Sequence, residues 1–150
     1  MGVIMGVTIT AKDSEYDFSC GYHGFMHLRE NIANAWDGEF GMHYKNLKFY
    51  STLQKYDLWD RVANKILSRS RFKEGGSKEH DEDIVDFLLA SDCEGEISYE
   101  TCKKIYDLIK DIDYGDEIFT YVAYSDGKDY EHFKDFLLDC YKRRENMEWS

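Results

Sequence analysis

The residues best suited to chemistry lie in two short segments, Tyr22–Arg29 and Ser91–Glu96. The first segment combines aromatic, imidazole and guanidinium groups, and the second combines a thiol with carboxylates. A binding or catalytic site needs polar groups of several types that converge from separate parts of a chain. We therefore predict that the two segments meet and supply binding residues, namely Tyr22, His23, Arg29, Asp92, Cys93 and Glu96.

Nucleophilic catalysis by Cys93 is the sharpest chemical hypothesis in these segments, with His23 or His27 as its base. The carboxylates on either side of the thiol would raise its pKa and so oppose thiolate formation. The chain also has no glycine-rich phosphate loop, no GxSxG elbow and no HExxH motif. The sequence therefore favours binding over catalysis, and we assign no catalytic residue.

Metal binding is a second hypothesis, since His23 and His27 are spaced four apart. Ser91–Glu96 also partly matches a calcium loop, but Ala90 and Thr101 stand where its first and last ligands are needed. We predict no metal and no cofactor. The simpler interpretation is a polar turn between two helices, in which Gly95 takes a positive φ.

Arg29 has two possible roles. It could pair with Asp92 or Glu96 and join the first helix to the turn as a structural staple, or it could bind an anion.

The two segments resemble blocks found in a family of small bacterial and prophage proteins that has no settled activity. Those proteins combine a Ser-Asp-Cys-Asp/Glu-Gly-Glu turn with a following helical Cys, here Ser91–Glu96 and Cys102. They also share a Tyr-x-Gly-Phe start, here Tyr22–Phe25, followed by Leu-Arg. Relatives often carry a His before the turn, where this chain has Ala90, so no role that depends on that His applies here.

Hydrophobic periodicity predicts an α+β fold, with about five helices and a small sheet of short strands. Strands are predicted at Val7–Ala11 and Tyr16–Cys20, with a third possible at Leu47–Tyr50. One helix carries the stripe Phe25, Leu28, Ile32 and Trp36, and four more are predicted at about 57–68, 81–90, 98–112 and 129–143. The segment Glu117–Tyr124 fits a strand or a helix equally well.

Length and composition indicate one domain that spans residues 1–150, with a mobile loop at about 70–80. The chain has 150 residues, 43% of them hydrophobic, which excludes a disordered chain. It has no apolar run of about 20 residues, so we expect no membrane span. Without a secretory signal or a CxxC pair, we expect a cytoplasmic protein with reduced thiols.

The formal net charge of −11 argues against direct binding to nucleic acid and suits a basic protein partner. We therefore predict a small acidic binding protein that blocks or sequesters a partner. The prophage resemblance makes it plausible as an inhibitor of a bacterial defence system, and a toxin-immunity protein would have the same composition. The alternative is a small-ligand binder or enzyme with a pocket between Tyr22–Arg29 and Ser91–Glu96. The predicted partner surface comprises Asp111, Asp113, Asp116, Tyr121 and Tyr124.

Overall fold

The computed structural model describes residues 6–38, 40–42, 44, 78–121 and 127–150. Within these ranges it has four strands and four long helices, which confirms the α+β class. The strands are β1 (Gly6–Thr10), β2 (Phe18–Gly21), β3 (Gly95–Ile97) and β4 (Met147–Trp149). The helices are α1 (Tyr22–Trp36), α2 (Lys78–Leu89), α3 (Tyr99–Ile109) and α4 (Asp129–Arg143).

The strands form one antiparallel sheet in the order β2-β1-β4-β3. β4 comes from the end of the chain and lies between β1 and β3, where Ile9 pairs with Trp149 and Ile97 pairs with Met147. Side chains alternate across the sheet, so that one face is buried and the other is polar. The chain beyond residue 144 was not predicted as a strand, although it supplies a central one.

The buried face of the sheet packs on α4 through aromatic side chains. Phe18 of β2 lies 5.6 Å from Phe133 and 5.4 Å from Phe136, measured between ring centroids, and both pairs meet edge to face. Phe119 also contacts Phe18, at 5.7 Å. These rings are buried, and edge-to-face pairs of this kind add to the stabilisation that burial alone provides.

The predicted turn at Ser91–Glu96 is partly wrong, because its last two residues begin β3 instead of leading directly into a helix. Gly95 has no positive φ. A Cβ at this position would overlap the six-membered ring of the Trp149 indole, so Gly95 is required for close packing against that side chain. The indole N–H in turn donates to the Ser91 carbonyl at 3.0 Å.

The helices agree with the periodicity except at the end of α3, which stops at Ile109, so that Ile112, predicted on its buried stripe, lies outside the helix and is 36% exposed. α3 begins after Ser98, whose hydroxyl accepts from the Thr101 N–H at 3.1 Å as predicted for an N-cap. α4 has the predicted bounds, but Tyr141 is 41% exposed instead of buried. Its ring contacts Tyr99 and lies 5.7 Å from the Lys103 ammonium.

Several predictions fall outside the described residues: the strand at Leu47–Tyr50, the helix at 57–68, and the loop at about 70–80 as far as residue 77. Residues 78–80 belong to α2. The segment 117–121 is neither helix nor strand, and residues 122–124 are not described.

The chain divides into two compact units. The first unit comprises Met1–Leu28 and Ala90–Ser150, and the second comprises Arg29–Leu89, so the boundary falls within α1. The prediction of a single domain stays a prediction. None of the described helices is both long and apolar enough to cross a membrane.

Candidate functional site

The segment 110–121 leaves the end of α3 and is held at its start by a buried lysine of α4. The Lys134 ammonium donates to the Ile112 carbonyl at 2.6 Å and to Glu131 Oε1 at 3.0 Å. It also reaches the Lys110 carbonyl at 3.5 Å. Lys134 is only 6% exposed. A cation is favoured beside the carbonyl groups that follow a helix, so Lys134 fixes the chain where α3 ends.

The middle of the segment rests on an aromatic pair. The ring of Tyr114 stacks on Tyr130 of α4 at 4.5 Å, and the Lys134 ammonium lies 5.7 Å from the centre of the Tyr114 ring. Burial, with a smaller contribution from the Glu117 carboxylate, raises the pKa of Tyr114 to about 12. Gly115 follows with φ of +60°, a left-handed backbone conformation that favours glycine.

The end of the segment is held by a buried carboxylate in the first turn of α4. Asp129 is fully buried, and its Oδ2 accepts hydrogen bonds from the Phe119 N–H at 3.1 Å, the Thr120 N–H at 3.1 Å and the Thr120 hydroxyl at 2.6 Å. The positive end of the α4 dipole further favours this charge. α4 therefore supplies a buried cation for one end of the segment and a buried anion for the other.

Between these two anchors the segment exposes both charge and apolar area. Ile118 and Tyr121 are 50% and 52% exposed. We call the exposed carboxylates of this segment the acidic surface; they are Asp111, Asp113, Asp116 and Glu117. Three predicted partner-surface residues thus belong to one anchored segment and Tyr121 lies at its end, whereas Tyr124 is outside the described residues.

Tyr121 lies over two glycines that face each other across β1 and β2. Gly6 pairs with Gly21. A Cβ on Gly6 would lie 2.6 Å from the Tyr121 hydroxyl, and a Cβ on Gly21 would lie 3.5 Å from it. The Tyr121 N–H donates to the Ser19 carbonyl of β2 at 2.8 Å. Because neither glycine has a side chain, the Tyr121 side chain can lie directly against the backbone of both strands.

A cleft of about 490 Å³ opens beside this ring within the first unit. One wall is the start of α1 and the other is the end of the segment, and the two approach closely because Gly24 has no side chain. A Cβ there would overlap the Phe119 carbonyl oxygen. The lining residues are Gly21, Tyr22, His23, Gly24, Ile118, Phe119, Thr120 and Tyr121.

The two segments singled out in the sequence meet at Tyr22 and Cys93. The Tyr22 hydroxyl lies 3.8 Å from the Cys93 sulfur, within hydrogen-bond distance for a thiol. This bond raises the pKa of Tyr22, with smaller contributions from the charges of Cys93, Asp92 and Tyr121. Cys93 is exposed, unlike the other three cysteines.

The remaining predicted site residues have other neighbours. His23 is exposed and lines the cleft, whereas Glu96 accepts a 2.7 Å hydrogen bond from the Asn146 side-chain amide on the polar side of the sheet. No group of three or more His, Cys, Asp or Glu side chains suited to a metal ion occurs in the part of the chain that the structure describes.

Arg29 belongs to the second unit, where it is fully buried. Its Nη1 donates to the Phe87 carbonyl at 3.1 Å, and the Tyr44 hydroxyl donates to the neighbouring Leu88 carbonyl at 2.7 Å. Both bonds satisfy carbonyl groups in the last turn of α2, where a cation is also favoured by the helix dipole. Arg29 therefore staples α1 to α2, and its pairing with Asp92 or Glu96 stays a prediction.

The residues that build this region were missed in the sequence. Asp129 and Lys134 were assigned no role, because charged residues on an amphipathic helix usually face water. Their spacing gave no signal, because residues five apart on a helix point about 140° away from each other. Comparisons of the chain with protein-family models, with curated proteins and with solved structures each found no match.

Proposed function

We propose that this protein binds a partner protein that has a basic surface, through the acidic surface and the exposed side chains of Ile118 and Tyr121. The observation that carries the proposal is the pair of buried anchors, Lys134 and Asp129, beneath an exposed acidic segment. A connection that only had to link two helices would not need a buried charge at each end.

Burying a charge costs several kcal/mol unless good hydrogen bonds compensate it. Here backbone groups of the segment supply much of the compensation, together with the Glu131 carboxylate and the Thr120 hydroxyl, so both ions help to fix the conformation of the segment. A surface fixed before binding loses less conformational entropy when a partner docks, at about 0.5–1.5 kcal/mol for each side chain that is already ordered. This is the arrangement expected of a recognition surface.

Charge sets the class of the partner. The acidic surface adds to a net charge of −11, and such a field speeds encounter with basic proteins and repels acidic ones. Basic surfaces are typical of proteins that bind nucleic acid, including nucleases. A role as a phage or prophage inhibitor of a bacterial defence system fits this chemistry and the family resemblance, and a toxin-immunity role fits it equally.

Small-ligand binding is the second candidate, and the specific observation in its favour is the cleft beside Tyr121. Tyr22 and His23 contribute polar groups to its wall, and Cys93 lies next to Tyr22. In that case the ligand would bind whether or not the acidic surface carried its charges.

Affinity capture separates these functions when three forms of the protein are compared, namely the native protein, an acidic-surface variant and a control variant. Asp111, Asp113 and Asp116 are replaced together by Asn, which keeps the 2.8 Å acceptor that Asp113 offers to the Gly115 N–H. The matched control neutralises three exposed carboxylates elsewhere, as Asp13→Asn, Glu15→Gln and Asp135→Asn.

We expect the native and control forms to retain a basic protein at about 0.1 M salt and to release it at about 1 M, where the Debye length falls from about 10 Å to about 3 Å. The acidic-surface variant should not retain it at either salt concentration. Retention of the same protein by all three forms would contradict the proposal.

A further inference from the structure

We propose that the cleft beside Tyr121 receives an arginine side chain of the partner. This inference rests on the proposed function and names the group that the partner inserts. It follows from three properties of the cleft: an aromatic face supported from behind, an apolar wall, and two carboxylates close to its lining residues.

The aromatic face is the ring of Tyr121. One side of the ring lies on Gly6 and Gly21, so its position is fixed, while the residue as a whole is 52% exposed. A buried tyrosine would present no face to a partner, and a fully exposed one would have to be ordered on binding. A half-exposed ring with a backbone support can stack on a planar cation with little reorganisation.

The apolar wall comes from the same segment and from the start of α1. Ile118 is 50% exposed at the cleft, next to Phe119 and opposite Tyr22 and Gly24. The three methylene groups of an arginine side chain can lie along such a wall while the charged end stays at a polar rim.

Two carboxylates lie near the cleft, each next to a residue that lines it. Glu117 directly precedes the lining residue Ile118, and its carboxylate lies 3.3 Å from Nε2 of His27, one turn along α1 from His23. Asp92 is close enough to Tyr22 for its charge to raise the pKa of that phenol. The amino terminus of α1 adds about half a positive charge at Tyr22, which two carboxylates outweigh.

Arginine fits these features better than lysine. A guanidinium is planar, is less strongly hydrated than an ammonium, and stacks on an aromatic ring while its N–H groups pair with carboxylates. A lysine could place its ammonium over the ring but could not stack a planar group on it. An uncharged side chain would use the wall but neither carboxylate. The order of affinity should therefore be arginine, lysine, norleucine.

Amide chemical shifts of the full chain, measured during titration with three peptides, test this order. The peptides are N-acetylated and amidated Gly-Gly-X-Gly-Gly, with arginine, lysine or norleucine at X. We expect the arginine peptide to bind about two- to fivefold more tightly than the lysine peptide, because only the guanidinium can stack on the ring and pair with a carboxylate together. Its shifts should centre on Gly21–Gly24 and Ile118–Tyr121.

Two variants and a control locate the contact. Tyr121→Leu keeps an apolar side chain and should remove the preference for arginine over lysine, and Glu117→Gln should weaken both cationic peptides but not the norleucine peptide. Asp135→Asn removes an exposed carboxylate that belongs neither to the cleft nor to the acidic surface, and it should leave the preference unchanged. Because Glu117 is exposed, its variant serves as the test if Tyr121→Leu disturbs the sheet edge.

Equal affinity for the arginine and lysine peptides, no binding of either, or shifts confined to residues outside the cleft would overturn the inference. The partner itself then distinguishes this failure from failure of the proposed function. If Tyr121→Leu still retains the partner and the acidic-surface variant does not, the arginine cleft is wrong and the binding surface stands. If both variants retain it, both assignments are wrong.

Discussion

Removal of the Asp129 carboxylate should release the end of the acidic segment. In Asp129→Ala the Phe119 N–H loses its acceptor in a buried position, which costs about 1–3 kcal/mol. The two Thr120 donors are half-buried and can reach water, so their bonds contribute about 1 kcal/mol together. The lost interaction with the α4 dipole adds about 0.3–1 kcal/mol.

Some of this loss is returned because the protein no longer buries a charge, and we expect the free energy of unfolding to fall by about 2–4 kcal/mol. Asp129→Asn keeps an acceptor oxygen but loses the charge, and should cost about 1–2 kcal/mol. Urea denaturation measures both values, and native-state hydrogen exchange should show faster exchange of the Phe119 and Thr120 amides.

Asp135→Asn is the control, because Asp135 is exposed on the same helix and its substitution should change stability by less than about 0.5 kcal/mol. If Asp129→Ala unfolds with the same free energy as this control, or if exchange at Phe119 is unchanged, then Asp129 does not hold the segment.

Three further predictions follow from single contacts. Gly24→Ala should destabilise the protein by about 1–3 kcal/mol in thermal unfolding, because its Cβ would overlap the Phe119 carbonyl oxygen, whereas Gly38→Ala, with open space around it, should not. A thiol-reactive reagent should modify one cysteine in the native protein and four after unfolding, because three of the four cysteines are buried. Cys93→Ser should abolish the reaction of the native protein. A second reactive thiol in the native protein would show that a buried cysteine is accessible. The pKa of Tyr114 is 10.0 in the unfolded chain and about 12 in the folded protein, so the folded state holds the phenolic proton more tightly. The free energy of folding linked to this proton is fully present below pH 10.0 and is lost as the pH rises through about 12. Tyr114→Phe should remove this part of the alkaline decline in equilibrium unfolding, and an identical decline in the variant would refute it.

Helices were predictable where a single apolar stripe decided them. The 3.6-residue spacing in α1 and α4, and the N-cap Ser98, are local signals that do not depend on the rest of the chain. Helix positions were therefore correct to within a few residues in the described ranges.

The sheet was only half predictable. β1 and β2 are neighbours in sequence, so alternation identified them, whereas β3 and β4 have three residues each and gain their stability from each other and from β1. A three-residue strand has too few alternations to stand out from a loop. Gly95 showed the same limit, since its role depends on Trp149, which is distant in sequence.

The exposure of the acidic segment was predictable from residue type, whereas the residues that hold this segment were not. Carboxylates and tyrosines can be recognised by type, and Tyr22 does lie beside Cys93. The anchoring roles of Lys134 and Asp129 depend on carbonyl and N–H groups that only the folded path of residues 110–121 brings to them. Burial of a charge is decided by tertiary structure and leaves little trace in a helical pattern.

The association rate with a captured basic partner tests the central claim most directly. Neutralising Asp111, Asp113 and Asp116 should slow association about tenfold at low salt while changing dissociation much less, and the difference between the native protein and the variant should vanish near 1 M salt. The control that carries Asp13→Asn, Glu15→Gln and Asp135→Asn should associate nearly as fast as the native protein. Equal association rates for the native protein and the acidic-surface variant, with the same dependence on salt, would contradict the account.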